Sequence, residues 1–120
     1  KLTKYIFLLG YKKNIFKYLN NSVGLICTSL WEEPGFVIQE AAACKKIILT
    51  SNCYSGPSEF LSHGKNGYVF RNNDKESFVK NFQKLLKEKK HHKNKIIENF
   101  KKTKFYTPNY FNSQIDKILN

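Results

Sequence analysis

The sequence predicts an α/β domain in which a parallel sheet is flanked by helices, with a helical C-terminus. The first observation is that its strand-like segments are short continuous apolar runs, which is typical of strands buried on both faces. The second is that these runs alternate with segments of helical spacing. The third is that 120 residues with 41% hydrophobic residues suffice for one packed core.

Apolar runs of this kind predict about four short strands, and each run is followed by a turn or loop. Gly10 ends the first run, and a Pro-Gly breaker follows the second. A turn with two glycines, at residues 64–67, precedes the fourth run. The predicted strands cover residues 6–9, 23–28, 47–50 and 68–70.

Six helices are predicted from apolar spacing and helix-start signals. Pro57 suits the first turn of a short helix, and Asp74 is a good N-cap for a long one, with Ser77 a weak substitute for a capping-box acid. The predicted helices cover residues 12–20, 36–44, 57–63, 74–90, 93–104 and 107–119.

Positive charge is concentrated in one third of the chain. The net charge is +12, and residues 71–104 hold twelve basic and four acidic residues. A field of this sign attracts polyanions such as nucleic acid, an acidic membrane face or phosphorylated ligands. The alternative is that the lysines are simply the solvated faces of helices.

The cysteines and histidines indicate neither disulfides nor a metal site. Three cysteines without a C-x-x-C pair predict reduced thiols and a cytoplasmic location. His91 and His92 are adjacent and lack metal-ligand spacing, so no metal cofactor is expected. No apolar run approaches the roughly 18 residues of a membrane span.

Residues 29–41 are the most informative stretch for function. They follow the second predicted strand and open a helix, which is where open α/β sheets bind ligands. The helix start offers unpaired N–H groups for a phosphate, and Gly35 permits close approach to the backbone. Glu32 and Glu40 can accept hydrogen bonds from vicinal hydroxyls. Taken alone, these residues could also be an acidic loop and an ordinary helix glutamate.

The same stretch resembles the E-x(7)-E signature of retaining glycosyltransferases with the B-type fold of two Rossmann domains. More narrowly, it is similar to the group 1 family that builds bacterial surface glycans. Glu32 and Glu40 take the two motif positions. Further matches follow in order along the chain, at residues 41–44, 47–51, 55–59 and 64–67. The resemblance implies a Rossmann-like donor-binding domain and a nucleotide-sugar donor, with uridine diphosphate as its usual carrier.

The resemblance also implies roles for individual residues. Glu40 would bind the ribose hydroxyls, and Glu32, the candidate catalytic residue, would contact hydroxyls of the transferred sugar. The backbone N–H groups of Gly35, Phe36 and Val37 would face the diphosphate.

Four further residues are candidates on the same basis. The loop from Gly10 to Asn14 would lie beside the base. Trp31 either packs under its loop or lines the sugar pocket, and Glu59 either faces the donor cleft or caps a helix.

The domain organisation follows from the extent of the resemblance. Residues 1–120 are expected to be one partial domain, with a nucleotide-sugar-binding part at 5–90 and C-terminal helices at 91–120. The acceptor domain and the basic residues that clamp the diphosphate would precede Lys1. The 120-residue chain is therefore expected not to transfer sugar by itself. A departure from the family pattern is Lys45-Lys46, where a Gly-Pro turn is usual.

The expected partners are a nucleotide-sugar donor and a glycan or lipid-linked acceptor, and retention of anomeric configuration is implied. The basic helices suggest an anionic membrane surface on the inner face of the membrane. A different class, a small basic nucleic-acid-binding module, stays open because of the charge, although no motif supports it. A non-catalytic donor domain that serves as a partner subunit is the third alternative.

Overall fold

The computed structural model describes residues 2–33 and 35–119. Its three strands are β1 (Gly24–Cys27), β2 (Ile47–Ser51) and β3 (Tyr68–Phe70). Its helices are α1 (Phe16–Asn20), α2 (Phe36–Ala43), α3 (Pro57–Phe60), α4 (Lys75–Lys87), α5 (Lys89–Lys102) and α6 (Pro108–Leu119). Short 3-10 segments cover Leu2–Lys4 and Thr103–Tyr106. The predicted α/β class is confirmed.

The sheet is parallel, as predicted, and has the order β1-β2-β3. Leu25 of β1 is paired with Ile48 of β2, and Leu49 of β2 is paired with Tyr68 of β3. Every residue of the central strand β2 is buried. Because parallel strands align their carboxyl ends, the loops after all three strands emerge at one edge of the sheet.

Side chains of β2 alternate between two apolar layers, one on each face of the sheet. Ile48 points into the layer that contains Ile38 of α2 and Leu61. Ile47 and Leu49 point into the opposite layer, which is closed by α4. The two layers fix α2 and α4 on opposite faces of the sheet. Because α2 follows the loop after β1, its start lies at the carboxyl edge.

The predicted N-cap of α4 is confirmed, and its geometry explains the weak capping box. Asp74 accepts a hydrogen bond from the backbone N–H of Ser77 at 2.8 Å. The Ser77 hydroxyl instead accepts from the backbone N–H of Arg71, also at 2.8 Å. Ser77 therefore fastens the turn after β3 to the helix start.

The strand predicted at residues 6–9 is wrong. In the described part of the chain no strand forms there, and residues 2–14 are all exposed. A strand needs a neighbour for its N–H and C=O groups, and this segment does not pair with the outer edge of β1. The described sheet therefore has three strands where about four were expected, and Ile26 on β1 is 45% exposed.

Tyr68 lies at the end of the sheet remote from the carboxyl edge. Its hydroxyl donates to the Glu88 carboxylate at 3.3 Å, and the Lys95 ammonium lies 5.2 Å from its ring centre. Burial, followed by the charge and hydrogen bond of Glu88, raises the pKa of Tyr68 to about 12. Burial lowers the pKa of Lys95 and of Lys102.

We expect the Tyr68 phenol to make the fold sensitive to alkali. The unfolded phenol loses its proton from about pH 10, whereas the folded one keeps it to about pH 12. The unfolded state therefore binds fewer protons in this window, and the free energy of unfolding falls as the pH rises through it. Urea denaturation at pH 9.5 and 11.5 should show a smaller fall for Tyr68→Phe than for the parent chain. Both proteins keep Lys95 and Lys102, whose effects have the opposite sign, so the difference isolates Tyr68. An equal fall in both would contradict the prediction, and Tyr11→Phe is the matched control.

Candidate functional site

The loops that follow the three strands are tied together at the carboxyl edge of the sheet. The Asn72 side chain donates to the Leu30 carbonyl at 2.8 Å, which joins the loop after β3 to the loop after β1. The backbone N–H of Asn72 donates to the Asn52 side-chain oxygen at 2.6 Å, which joins it to the loop after β2. A single residue therefore fixes the relative positions of three loops.

The Glu32 carboxylate is held by a short relay of hydrogen bonds. The Ser29 hydroxyl donates to Glu32 Oε1 at 2.6 Å, and the thiol of Cys27 lies 3.7 Å from the same oxygen. The hydroxyl of Ser51, a fully buried residue at the end of β2, donates to the Ser29 carbonyl at 2.6 Å. Because Ser51 belongs to the central, fully buried strand, these hydrogen bonds connect Glu32 to the core of the sheet.

Helix α2 begins at a glycine that no side chain caps. Gly35 has φ +72° and is buried, and a Cβ there would lie 3.3 Å from Pro57 Cγ. No side-chain hydrogen bond caps this helix start. The first-turn N–H groups, among them those of Phe36 and Val37, are thus left for another acceptor, and the positive end of the helix dipole favours an anion. Pro34 lies outside the described residues.

Glu40 lines a cavity of about 350 Å³ on the outer side of α2. Phe36, Gln39, Glu40 and Ala43 form one stripe of the helix, at the spacing that places residues on one face. The opposite wall consists of aromatic and hydroxyl-bearing side chains, from Phe16, Thr103, Tyr106 and Thr107. Among the described residues, the Glu40 carboxylate has no hydrogen-bond or ion-pair partner, and Glu32 does not line this cavity.

The other predicted site residues lie as follows. Gly10 and Asn14 are on the exposed segment before α1, and their proximity to a base stays a prediction. Glu59 is exposed in the first turn of α3, where no side chain caps the helix, so its capping alternative is not observed. Trp31 is 65% exposed, which excludes the alternative that it packs under its loop.

Sequence reasoning missed Ser29, Ser51 and Tyr54. Ser29 precedes Glu32 by three residues, the spacing at which a serine and a glutamate meet in a capping box, so this signal was present in the sequence. Ser51 and Tyr54 carried no comparable signal. Ser51 contacts Ser29, and Tyr54 forms an isolated parallel bridge with Trp31, only because β1 and β2 pair.

Two of the lysines form hydrogen bonds with other parts of the chain. The Lys102 ammonium donates to the Phe60 carbonyl and to the Ser62 hydroxyl, both at 2.6 Å. The Lys95 ammonium donates to the Lys65 carbonyl at 2.7 Å. These two lysines fasten α5 to the turn after α3. The exposed lysines of α4 and α5 form the basic surface. They are Lys75, Lys80, Lys84, Lys87, Lys89, Lys90, Lys93 and Lys101.

The described residues contain no group of three or more His, Cys, Asp or Glu side chains arranged to hold a metal ion. In the same part of the chain, no helix has both the length and the apolar character needed to cross a bilayer.

Comparisons with known proteins all identify similarity to glycosyltransferases. The family model for glycosyl transferases group 1 matches residues 1–103. An uncharacterized glycosyltransferase of Methanocaldococcus jannaschii is 36% identical over 56 residues, which are 47% of this chain and 14% of that protein. The poly(ribitol-phosphate) alpha-N-acetylglucosaminyltransferase of Staphylococcus aureus is 32% identical over 73 residues, which are 61% of this chain and 15% of that protein. The matched part is therefore about one seventh of either relative.

Proposed function

Because this chain belongs to the glycosyl transferases group 1 family, we propose that it is the donor-binding part of a retaining enzyme. The donor is a nucleotide-sugar, with uridine diphosphate as the carrier and a hexose or N-acetylhexosamine as the transferred sugar. The acceptor is a glycan or a lipid-linked glycan. The 120-residue chain binds donor and does not complete transfer alone.

The observation that carries the proposal is the anchored Glu32 beside an uncapped helix start. The Ser29 hydroxyl donates to Glu32 Oε1 at 2.6 Å, and no described residue forms a hydrogen bond with Oε2. Oε2 is therefore available to a hydroxyl of the transferred sugar. The N–H groups of Gly35, Phe36 and Val37 supply donors for the diphosphate. Both features lie at the carboxyl edge of the sheet, where ligands bind in open α/β folds.

Glu40 supports the nucleoside part of the proposal. Its carboxylate is unpartnered and lines a cavity large enough for a small ligand group. A carboxylate can accept a hydrogen bond from each of two neighbouring hydroxyls, which is the pattern that a ribose presents. Aromatic rings in the same cavity, such as Phe36 and Tyr106, add apolar contact area for the nucleoside.

The chemistry proposed for these residues is positioning and charge stabilisation. Glu32 fixes the orientation of the sugar, and the first-turn N–H groups of α2 stabilise charge that develops on the leaving diphosphate. No metal ion and no covalent nucleophile are assigned a role.

The acceptor and the location of the enzyme are inferred from charge. The Staphylococcus aureus relative is named for a poly(ribitol-phosphate) acceptor, and such a polymer is anionic. The exposed lysines of α4 and α5 suit either an anionic acceptor of that kind or an anionic lipid face, at about 1 kcal/mol per lysine near a membrane surface. We place the protein in the cytoplasm, peripheral to the inner face of the membrane.

A thermal melt with uridine diphosphate tests donor binding. Ligand at 100 times its dissociation constant adds about 2.7 kcal/mol to the free energy of unfolding, which is a shift of several degrees for a domain of this size. We expect this shift in the parent chain and its loss in Glu40→Ala.

The control is Glu76→Ala, which removes an exposed glutamate from the first turn of α4, away from the cavity. Its ligand-induced shift should equal that of the parent chain. A cooperative melt that uridine diphosphate leaves unchanged, with calorimetry showing no binding, would contradict the proposal. An equal shift in Glu40→Ala would remove Glu40 from the site.

A further inference from the structure

Two aromatic residues at the carboxyl edge of the sheet are paired through their backbones. Trp31, in the loop after β1, and Tyr54, in the loop after β2, form an isolated parallel bridge. Their exposed fractions are 65% and 84%. Exposed apolar side chains that lie close together are a feature of ligand and partner sites.

The bridge determines how the two rings are presented. Directly paired residues of parallel strands point to the same side, and the strands are about 4.8 Å apart. Neither ring stacks on another aromatic ring of the described residues. The bridge itself is reinforced because Asn72 binds both the Leu30 carbonyl and the Asn52 side chain, which are close neighbours of Trp31 and Tyr54 along the chain.

We propose that Trp31 and Tyr54 form a stacking platform for a pyranose ring, an inference that rests on the proposed function. A pyranose has an apolar face of C–H groups and a rim of hydroxyls. The platform matches the face, and the Glu32 carboxylate, one residue after Trp31 and anchored by Ser29, matches the rim. Aromatic side chains with a small number of polar groups are the composition of a small-ligand site.

Trp31 is the only tryptophan of the chain, so its fluorescence reports on the platform alone. We would titrate the chain with UDP-N-acetylglucosamine, with uridine diphosphate and with methyl N-acetylglucosaminide. We expect a blue shift of the emission with a sugar-bearing ligand and none with uridine diphosphate. A response only to the nucleotide-sugar identifies the donor sugar as the occupant, and a response to the methyl glycoside identifies a sugar of the acceptor.

Tyr54→Ala should weaken the binding of the responding sugar roughly two- to tenfold, the range measured for aromatic pairs. Tyr54→Phe keeps the ring and should restore binding, whereas a structural role of the hydroxyl would not be rescued. Phe111→Ala is the matched control, because it also truncates an exposed ring and Phe111, 64% exposed on α6, lies outside the donor-binding part.

Three outcomes would overturn the platform. If emission responds equally to uridine diphosphate and to the nucleotide-sugar, the rings contact the nucleotide instead. If no sugar changes emission while uridine diphosphate still raises the melting temperature, the platform is wrong and the donor site stands. If neither emission nor melting temperature responds to any of the three compounds, the proposed function fails together with the platform.

Discussion

Replacing Ile48 by alanine should lower the free energy of unfolding by about 2–5 kcal/mol, the range for deleting a large aliphatic side chain from a packed core. Ile48 is fully buried in the central strand and contacts the layer that includes Ile38 and Leu61. Both neighbouring strands and α2 surround it, so the cavity left by alanine cannot collapse easily. Urea denaturation of the purified variant measures the change.

Ile26→Ala is the matched control, because it makes the same chemical change one strand away. Ile26 is 45% exposed and lies on the outer strand of the sheet, where it lines an apolar groove together with Leu85 and Leu86. We expect a loss of about 1 kcal/mol or less. If Ile26→Ala cost as much as Ile48→Ala, the outer face of β1 would have to be covered in solution, and the assignment of the core to β2 would be incorrect.

Ser29→Ala should weaken binding of UDP-N-acetylglucosamine about tenfold while leaving the affinity for uridine diphosphate unchanged. The hydroxyl of Ser29 donates to Glu32 Oε1 at 2.6 Å, and hydrogen bonds to charged groups contribute about 1.5–3 kcal/mol. Without it the Glu32 carboxylate loses its fixed orientation, and the proposed contact is with the sugar alone. Calorimetric titration with the two ligands measures the separation.

A double-mutant cycle distinguishes positioning from a general structural effect. If Ser29 acts through Glu32, Ser29→Ala should add nothing to Glu32→Ala, which removes the acceptor of the Ser29 hydroxyl, whereas independent effects would add. Ser22→Ala is the control, because its hydroxyl donates to the Leu19 carbonyl at 2.9 Å at the end of α1. Additive losses, or equal weakening of both ligands by Ser29→Ala, would show that Ser29 supports the loop and not Glu32.

The sequence predicted β2, β3 and α6 closely because their signals are local. The run at residues 47–49 is apolar throughout, and Pro108 marks a helix start, so neither needs knowledge of the partner segments. The segment at residues 6–9 has the same apolar signal and is exposed coil, since a strand also requires a neighbour, and pairing is not encoded in one run of residues.

The candidate site also combines features that the sequence shows directly with contacts that depend on strand pairing. The Glu32 and Glu40 pattern, the glycine at the start of α2 and the serine three residues before Glu32 can all be read along the chain. The connections of Ser51 to Ser29 and of Trp31 to Tyr54 cross between loops more than twenty residues apart, and they follow from the alignment of β1 with β2. Only the pairing of strands brings these residues together.

Asn72 couples the three loops, so a change in one loop alters the attachment of the others. Its side chain and backbone each hold a different loop, through Leu30 and Asn52. Transplanting one loop from a relative would remove one of these hydrogen bonds, each of which contributes about 0.5–1.5 kcal/mol. We therefore expect changes of sugar preference to require exchange of the three loops as one cassette, with position 72 included.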